Sequence, residues 1–406
     1  MNQARIAIIG GGISGLYAAY LLERQGIFDY VLLEARERLG GRALSVALDG
    51  AVAGLSDPTD RFDLGPSWFW PDFQPQLDSL VADLGLERFV QPIQGDNVIE
   101  RIAGERPSRT QGYSTSPSSV RLLGGMGALV DALVANVNLG QVRTGQAVRC
   151  LRACEQHLEI ESVSGNGSQE SWVVEHMLLA APPRLLARNI EFSPALPPSV
   201  AQLWRSTPTW MASHAKYLAV FESAFWNKTG LSGQARSAVG PMVEIHDASS
   251  PGGHSALFGF IGIPARTRNV MPQEQLQALC RAQLVRLFGP EAGKPVAEFL
   301  KDWAQDPLTS VAQDLLNGGQ YSFSLEPTFD TSPWAGRLIG IGSEWSPQFP
   351  GYIAGAIEVA SSGVRTILQK QSGSGSADSA RQGKAASLGA LGAASENISH
   401  AVHDTS

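Results

Sequence analysis

The apolar run from Arg5 to Ile9 ends in Gly10-Gly11-Gly12, the pattern of a buried strand closed by a tight turn. The hydrophobic period then changes. Ile13, Leu16, Tyr17, Tyr20 and Leu21 recur at helical spacing, and Gly26 stands where a left-handed helix stop is wanted. Tyr30 to Leu33 forms a second apolar run. The first ~35 residues therefore predict a βαβ unit whose parallel strands are covered by helices on both faces.

Further along, Leu77, Leu80, Val81 and Leu84 predict one amphipathic helix in the otherwise polar stretch 71–116. A second helix is predicted over 122–133, entered through Gly124-Gly125-Met126-Gly127. The stretches 142–148, 158–163 and 172–181 read as strands, the last closing on Ala181-Pro182-Pro183. Strand character returns over 209–221 and 242–263, followed by a helix over 273–287, a short strand over 338–341 and a final helix over 353–368. No internal repeat is present. This alternation predicts an α/β fold of two interleaved units. Residues 1–70, 117–202 and 331–370 would build a Rossmann-type nucleotide-binding domain. Residues 71–116 and 203–330 would build a mixed α+β substrate domain containing an antiparallel sheet. The stretch 371–406, rich in Gly, Ser and Ala and without an aromatic residue, is expected to be a disordered tail.

Composition narrows the function classes. The chain has 406 residues, 43% hydrophobic and 17% charged, with a formal charge of −7. Such a balance suits a globular protein with more than one core and argues against a nucleic-acid binder, which would present a basic face. With no apolar run long enough to span a bilayer and no signal-peptide pattern, no membrane partner is expected; a cytoplasmic location is the default. Cys150, Cys154 and Cys280 cannot build a disulfide framework in a chain of this size. Cys150, Cys154 and His157 lie close in sequence, but no fourth ligand at metal-like spacing is present, so no metal site is expected.

The chemistry-bearing signal is Gly10-x-Gly12-x-x-Gly15 between a strand and a helix, with Glu34 closing the second strand. Gly10 and Gly12 let the backbone turn and approach a pyrophosphate, and Gly15 permits close helix–strand packing. The helix N-terminus, Ser14 included, offers N–H groups to phosphate, and Glu34 can accept from ribose hydroxyls. This fingerprint alone does not separate NAD from FAD. The segment immediately after Glu34 does: Ala35-Arg36-Glu-Arg38-Leu-Gly40-Gly41-Arg42 is a basic double-glycine loop able to fold back over a bound dinucleotide.

On these two motifs the chain resembles the flavin-containing amine oxidase superfamily, which includes monoamine, polyamine and L-amino acid oxidases. Further matching pieces are Asp63-Leu-Gly65-Pro66-Ser67-Trp68, Gly124-Gly125-Met126, Ala181-Pro182-Pro183, and Lys216 with Phe225-Trp226 nine residues on. Trp303 with Asp306-Pro307 and the closing Gly342-Ser-Glu344 … Gly351-Tyr352-x-x-Gly355-Ala356 complete the set. The resemblance implies an FAD-dependent amine oxidase with a small-molecule amine and O2 as its partners. A hydride would pass from the amine α-carbon to flavin N5, the imine would leave, and O2 would reoxidise the flavin to give H2O2. It further implies that Arg36 and Arg42 contact the adenosine and pyrophosphate side, that Val148 holds adenine through its backbone, and that Glu344 lies near the ribityl chain or pyrophosphate. By the same token Lys216 would hold a water at flavin N5, and Tyr352 and Tyr321 would flank the substrate nitrogen. Gln320 stands where covalent members carry a flavin-linking cysteine, which implies non-covalent FAD.

Independently of any resemblance, Lys216 lies in an otherwise apolar strand, and lysine is rarely buried without a partner or a task. His214, two residues earlier, reads as structural, and Arg36 and Arg38 could equally be a solvated charge cluster. The stretch 303–319 is longer than the family pattern, which leaves the register of Tyr321 open, and 71–116 is short for a full substrate-domain insertion. An amino-acid substrate would need a cavity arginine, for which Arg101, Arg205 and Arg266 are candidates. Two other readings use the same fingerprint: a flavin desaturase or renalase-like NAD(P)H-oxidising enzyme, and a non-catalytic FAD-binding module. The first of these has no need for Lys216 or a pair of tyrosines.

Overall fold

In the computed structural model, residues 1–52, 57–112, 116–316, 325–328 and 333–370 are described. Tyr321, Gln320 and the stretch 371–406 lie outside them. The opening strand Ile6–Ile9 is wholly buried and leads through the glycine turn into the helix Ile13–Arg24. It pairs in parallel with Tyr30–Leu33 on one side and His176–Leu179 on the other. Val142–Arg143 and Leu338–Gly340 complete a five-stranded sheet, all parallel. Numbered along the chain, its strands lie in the order 3-2-1-4-5, the doubly wound arrangement. Its first strand sits where the winding reverses, which is where such sheets open a crevice at their carboxyl ends.

Besides two two-stranded pairings, two further sheets form among the described residues. The stretch predicted as one strand over 172–181 splits: Gln169–Val174 pairs antiparallel with Leu158–Ser164 in a second five-stranded sheet, while His176–Leu179 joins the parallel one. A seven-stranded sheet carries Ala215–Phe221 between Ser255–Ile261 and Ala297–Asp302, both antiparallel to it. Asp96–Glu100 and Ser108–Gln111 extend this sheet from a stretch that predicted only a helix. That helix, Pro75–Asp83, buries Leu77, Leu80 and Val81 in the core around the parallel sheet. A separate core forms between the seven-stranded sheet and the helix Gln273–Phe288. The second predicted helix begins at Gly125, and Val120–Leu122 before it is a strand. The final helix covers 353–370. No helix among the described residues is long and apolar enough to cross a membrane.

Candidate active site

A cavity of about 430 Å³ opens at the carboxyl ends of the parallel strands and runs to the seven-stranded sheet. One end of it is built by the glycine turn. Gly10 adopts φ +113°, and an added Cβ on Gly15 would lie 1.9 Å from the Gly10 carbonyl oxygen, so the helix packs on the strand only because Gly15 has none. Gly15 lies behind the lining, as do Gly342 and Glu344. Gly12 caps the helix with no side chain bonded to its free N–H groups, and the first turn holds no acidic residue. A Cβ on Gly12 would meet nothing nearer than Gly41 Cα at 4.0 Å. An uncapped, unobstructed N-terminus of a twelve-residue helix facing a cavity is a fitting seat for a pyrophosphate. Ser14 lines the same end while its hydroxyl donates to the Ile341 carbonyl.

Glu34 is buried at the end of the second strand. Its Oε2 accepts from Gly11 N at 2.6 Å and its Oε1 from Arg36 N at 2.7 Å. Each oxygen keeps acceptor capacity for a ribose hydroxyl. Ala35 and Val148 line this end as well, with Gly41, Gly65, Pro66 and Ser67 along the floor. The Arg36 guanidinium is tied to Asp306 at 2.8 Å and Thr309 at 3.0 Å. Arg38 is not a solvated charge: it is partly buried and donates to the Leu39 and Gly41 carbonyls, holding the double-glycine loop. Arg42 meets Glu344 in a two-pronged pair at 2.6 and 3.2 Å and also donates to Ser343. The Glu344 side chain is wholly enclosed, so it acts on the cavity through Arg42.

At the other end Lys216 is 3% exposed, on the second residue of Ala215–Phe221. Its Nζ donates to Ser67 Oγ at 2.8 Å and the Gly65 carbonyl at 3.1 Å, and lies 4.0 Å above the Phe258 ring. Burial pulls its pKa down to about 7; Asp63 opposes this and Arg121 adds to it. Asp63 is itself pushed up by burial, against the pull of Lys216. It accepts from Ser45 Oγ and Met126 N, which ties the start of the helix Gly125–Ala135 to this floor. Trp303 lines the cavity and donates to the Leu64 carbonyl at 3.1 Å. His214 also lines it, its pKa lowered by burial and then by Arg268.

The walls toward the Lys216 end are aromatic. Trp68, Phe69, Trp70, Phe260 and Tyr352 all contribute, and Trp210 stacks on Tyr352 with ring centroids 5.6 Å apart. Sequence reasoning missed Trp210; its one signal was an aromatic residue shortly before the buried lysine strand. Arg101, Arg205 and Arg266 are absent from the lining. No cysteine lines the cavity among the described residues, so none of them offers a thiol to bond a flavin. Among the described residues the one group of three possible metal ligands is Cys154, His157 and Glu159, with Glu159 in place of Cys150 and none of the three on the cavity.

The family model for flavin containing amine oxidoreductases matches residues 106–368, and one for NAD(P)-binding Rossmann-like domains matches 8–84. The chain belongs to the flavin-containing amine oxidoreductase family. It is 22% identical to a probable flavin-containing monoamine oxidase A of Dictyostelium discoideum, over 87% of this chain and 95% of that one. It is 23% identical to the flavin-containing amine oxidase A of Sus scrofa, over 90% and 85% of the two chains. Among solved structures it resembles cyclohexylamine oxidase of Brevibacterium oxydans, with a TM-score of 0.74 and 20% identity over 91% of this chain and 99% of that one. A double mutant of putrescine oxidase matches at a TM-score of 0.72 and 21% identity, with the same coverage. This amine oxidase is therefore an FAD enzyme, an oxidoreductase acting on CH–NH2 groups.

Proposed function

We propose that the chain oxidises a neutral monoamine bearing an apolar substituent, with O2 as the electron acceptor. The observation that carries this is the wall chemistry. Aromatic side chains surround the end of the cavity that holds Lys216, and Glu34, at the opposite end, is the one carboxylate on the described lining. A diamine such as putrescine needs an anion for its distal ammonium, and the described lining offers none at the Lys216 end. Aromatic walls suit a cyclic or aryl monoamine, as the name of the cyclohexylamine oxidase relative suggests.

In this reading the uncapped helix start holds the pyrophosphate, Glu34 holds a ribose, and Arg42, anchored by Glu344, holds the double-glycine loop against the cofactor. When bound, FAD supplies the hydride acceptor for the amine α-carbon and returns the electrons to O2, giving H2O2. Lys216 has two of its donors fixed by Ser67 and Gly65, which leaves a third to hold a water at the reacting face. Tyr352 orients the amine, and the aromatic walls exclude bulk water from it.

The test is to purify the yellow protein and offer it cyclohexylamine, benzylamine, putrescine and phenylalanine, reading peroxide release and anaerobic bleaching of the flavin. Bleaching by the two monoamines ahead of the others is expected. Bleaching by NADPH and by no amine would replace the proposal with an NAD(P)H-oxidising reading, and a flavin that nothing bleaches would leave only a binding module.

A further inference from the structure

Trp210 occupies a short turn that runs straight into the lysine strand. His214 N donates to the Met211 carbonyl and Ala212 N to the Thr209 carbonyl, closing the turn on itself. Met211 holds φ +59°, the one non-glycine residue with positive φ among those described. For a residue with a Cβ this left-handed conformation is unfavourable and persists only where the surroundings impose it. The surroundings are visible. Arg42, whose other bonds hold Glu344 and Ser343, reaches the Trp210 carbonyl at 3.5 Å. The indole itself lies against Tyr352 at an interplanar angle of 29°.

Two stacked rings with centroids 5.6 Å apart leave no slot between them. An inserted substrate would need about 7 Å, two van der Waals layers of ~3.5 Å each. A substrate therefore meets Trp210 and Tyr352 as one continuous wall. Tyr352 stays 40% exposed with the indole on it, so the pair is not packed core. The strained turn and its Arg42 contact thus hold the backbone that carries this bulky ring onto the cavity wall.

We propose that Trp210 is a specificity-determining residue that limits the width of the amine this enzyme accepts: narrow alkylamines pass, and amines with a fused or branched ring beside the α-carbon are turned away. This rests on the amine-oxidising reading above. The experiment compares wild type, Trp210→Phe and Trp210→Ala as flavin-loaded proteins. Anaerobic flavin reduction is measured with hexylamine and with 1-naphthylmethylamine. Binding of the matching alcohols, hexanol and 1-naphthylmethanol, is read from perturbation of the flavin spectrum.

In Trp210→Ala the preference for the wide over the narrow ligand rises by about tenfold or more, the usual scale of a steric change in an apolar pocket, and Trp210→Phe keeps most of the wild-type preference. A parallel change for wide and narrow ligands, or none, overturns the proposal, because a merely structural tryptophan would weaken both alike. Should no amine reduce the flavin while the alcohol preference still shifts, the oxidase reading falls and the role of Trp210 stands. Should amines be oxidised with neither preference shifted, Trp210 alone is refuted.

Discussion

Lys216 shows how surroundings alter the chemistry of a single side chain. Two hydrogen bonds and an aromatic face hold its ammonium, yet burial still outweighs them and brings its pKa to about 7. Replacing it by Met should slow reoxidation of the reduced flavin by O2 by about 10²-fold, the scale of losing one placed donor, while changing reduction by amine far less. Stopped-flow traces of the two half-reactions check this, and an unchanged oxidative half-reaction removes Lys216 from the chemistry. The same shift has a stability consequence. The folded apoprotein releases the Lys216 proton near pH 7, whereas the unfolded chain keeps it to the ordinary lysine value of 10.5. Between those values the unfolded state binds more protons, so the Lys216 contribution to stability increases with pH across that window and is at its lowest, and flat, below 7. Apo Lys216→Met should therefore gain most over apo wild type below pH 7, and the difference in urea midpoints should shrink toward pH 10. Lys216 was legible in the sequence as an anomaly in an apolar strand. Trp210 was not, because nothing in its neighbours announces a left-handed turn at Met211.

At the scale of elements, the glycine turn makes two separable demands. At Gly15 a methyl group would lie 1.9 Å from the Gly10 carbonyl oxygen, against rigid backbone, whereas at Gly12 it would meet open space short of Gly41. Gly15→Ala is expected to disrupt the strand–helix packing and lower thermal stability with or without FAD. Gly12→Ala is expected to fold with an unchanged circular dichroism spectrum and melting temperature as apoprotein, yet purify colourless, because its methyl group fills the seat of the pyrophosphate. FAD content and apoprotein melting curves separate the two, and a Gly12→Ala protein that is fully yellow would contradict the site. This unit was readable because its hydrophobic period, its glycines and Glu34 all serve local geometry. The strand Leu231–Ser237 was not. It reads LSGQARS, and its buried Ser232 and Ser237 are satisfied by Asn97 and Glu100 from a strand more than 130 residues away. No local window contains that pairing.

At the scale of the molecule, the cavity is lined from both sheets: the glycine turn and Glu34 from the parallel one, Lys216 and Phe260 from the seven-stranded one. A cofactor bound there stabilises both together. Stripping FAD should lower the melting temperature, and restoring it at a thousandfold excess over its dissociation constant should return about 4 kcal/mol. Melting that is indifferent to added FAD would place the cofactor elsewhere. The Arg42–Glu344 pair couples distant parts of the chain in the same way: it joins the loop after the second strand to the segment after the last, 302 residues on.

What the sequence determined by itself was the opening βαβ unit, since a strand, a glycine turn, a helix start and an acidic strand end are neighbours along the chain and their geometry is local. It also singled out Lys216 and Tyr352, through residue types out of keeping with their apolar or glycine-rich settings. The tertiary structure alone decided what surrounds them: that Arg38 braces a loop rather than facing water, that Glu344 works through Arg42, and that a tryptophan on a strained turn completes the wall beside Tyr352. These are contacts between segments far apart in the chain, and burial, pairing and strain come into being only when folding brings such segments together.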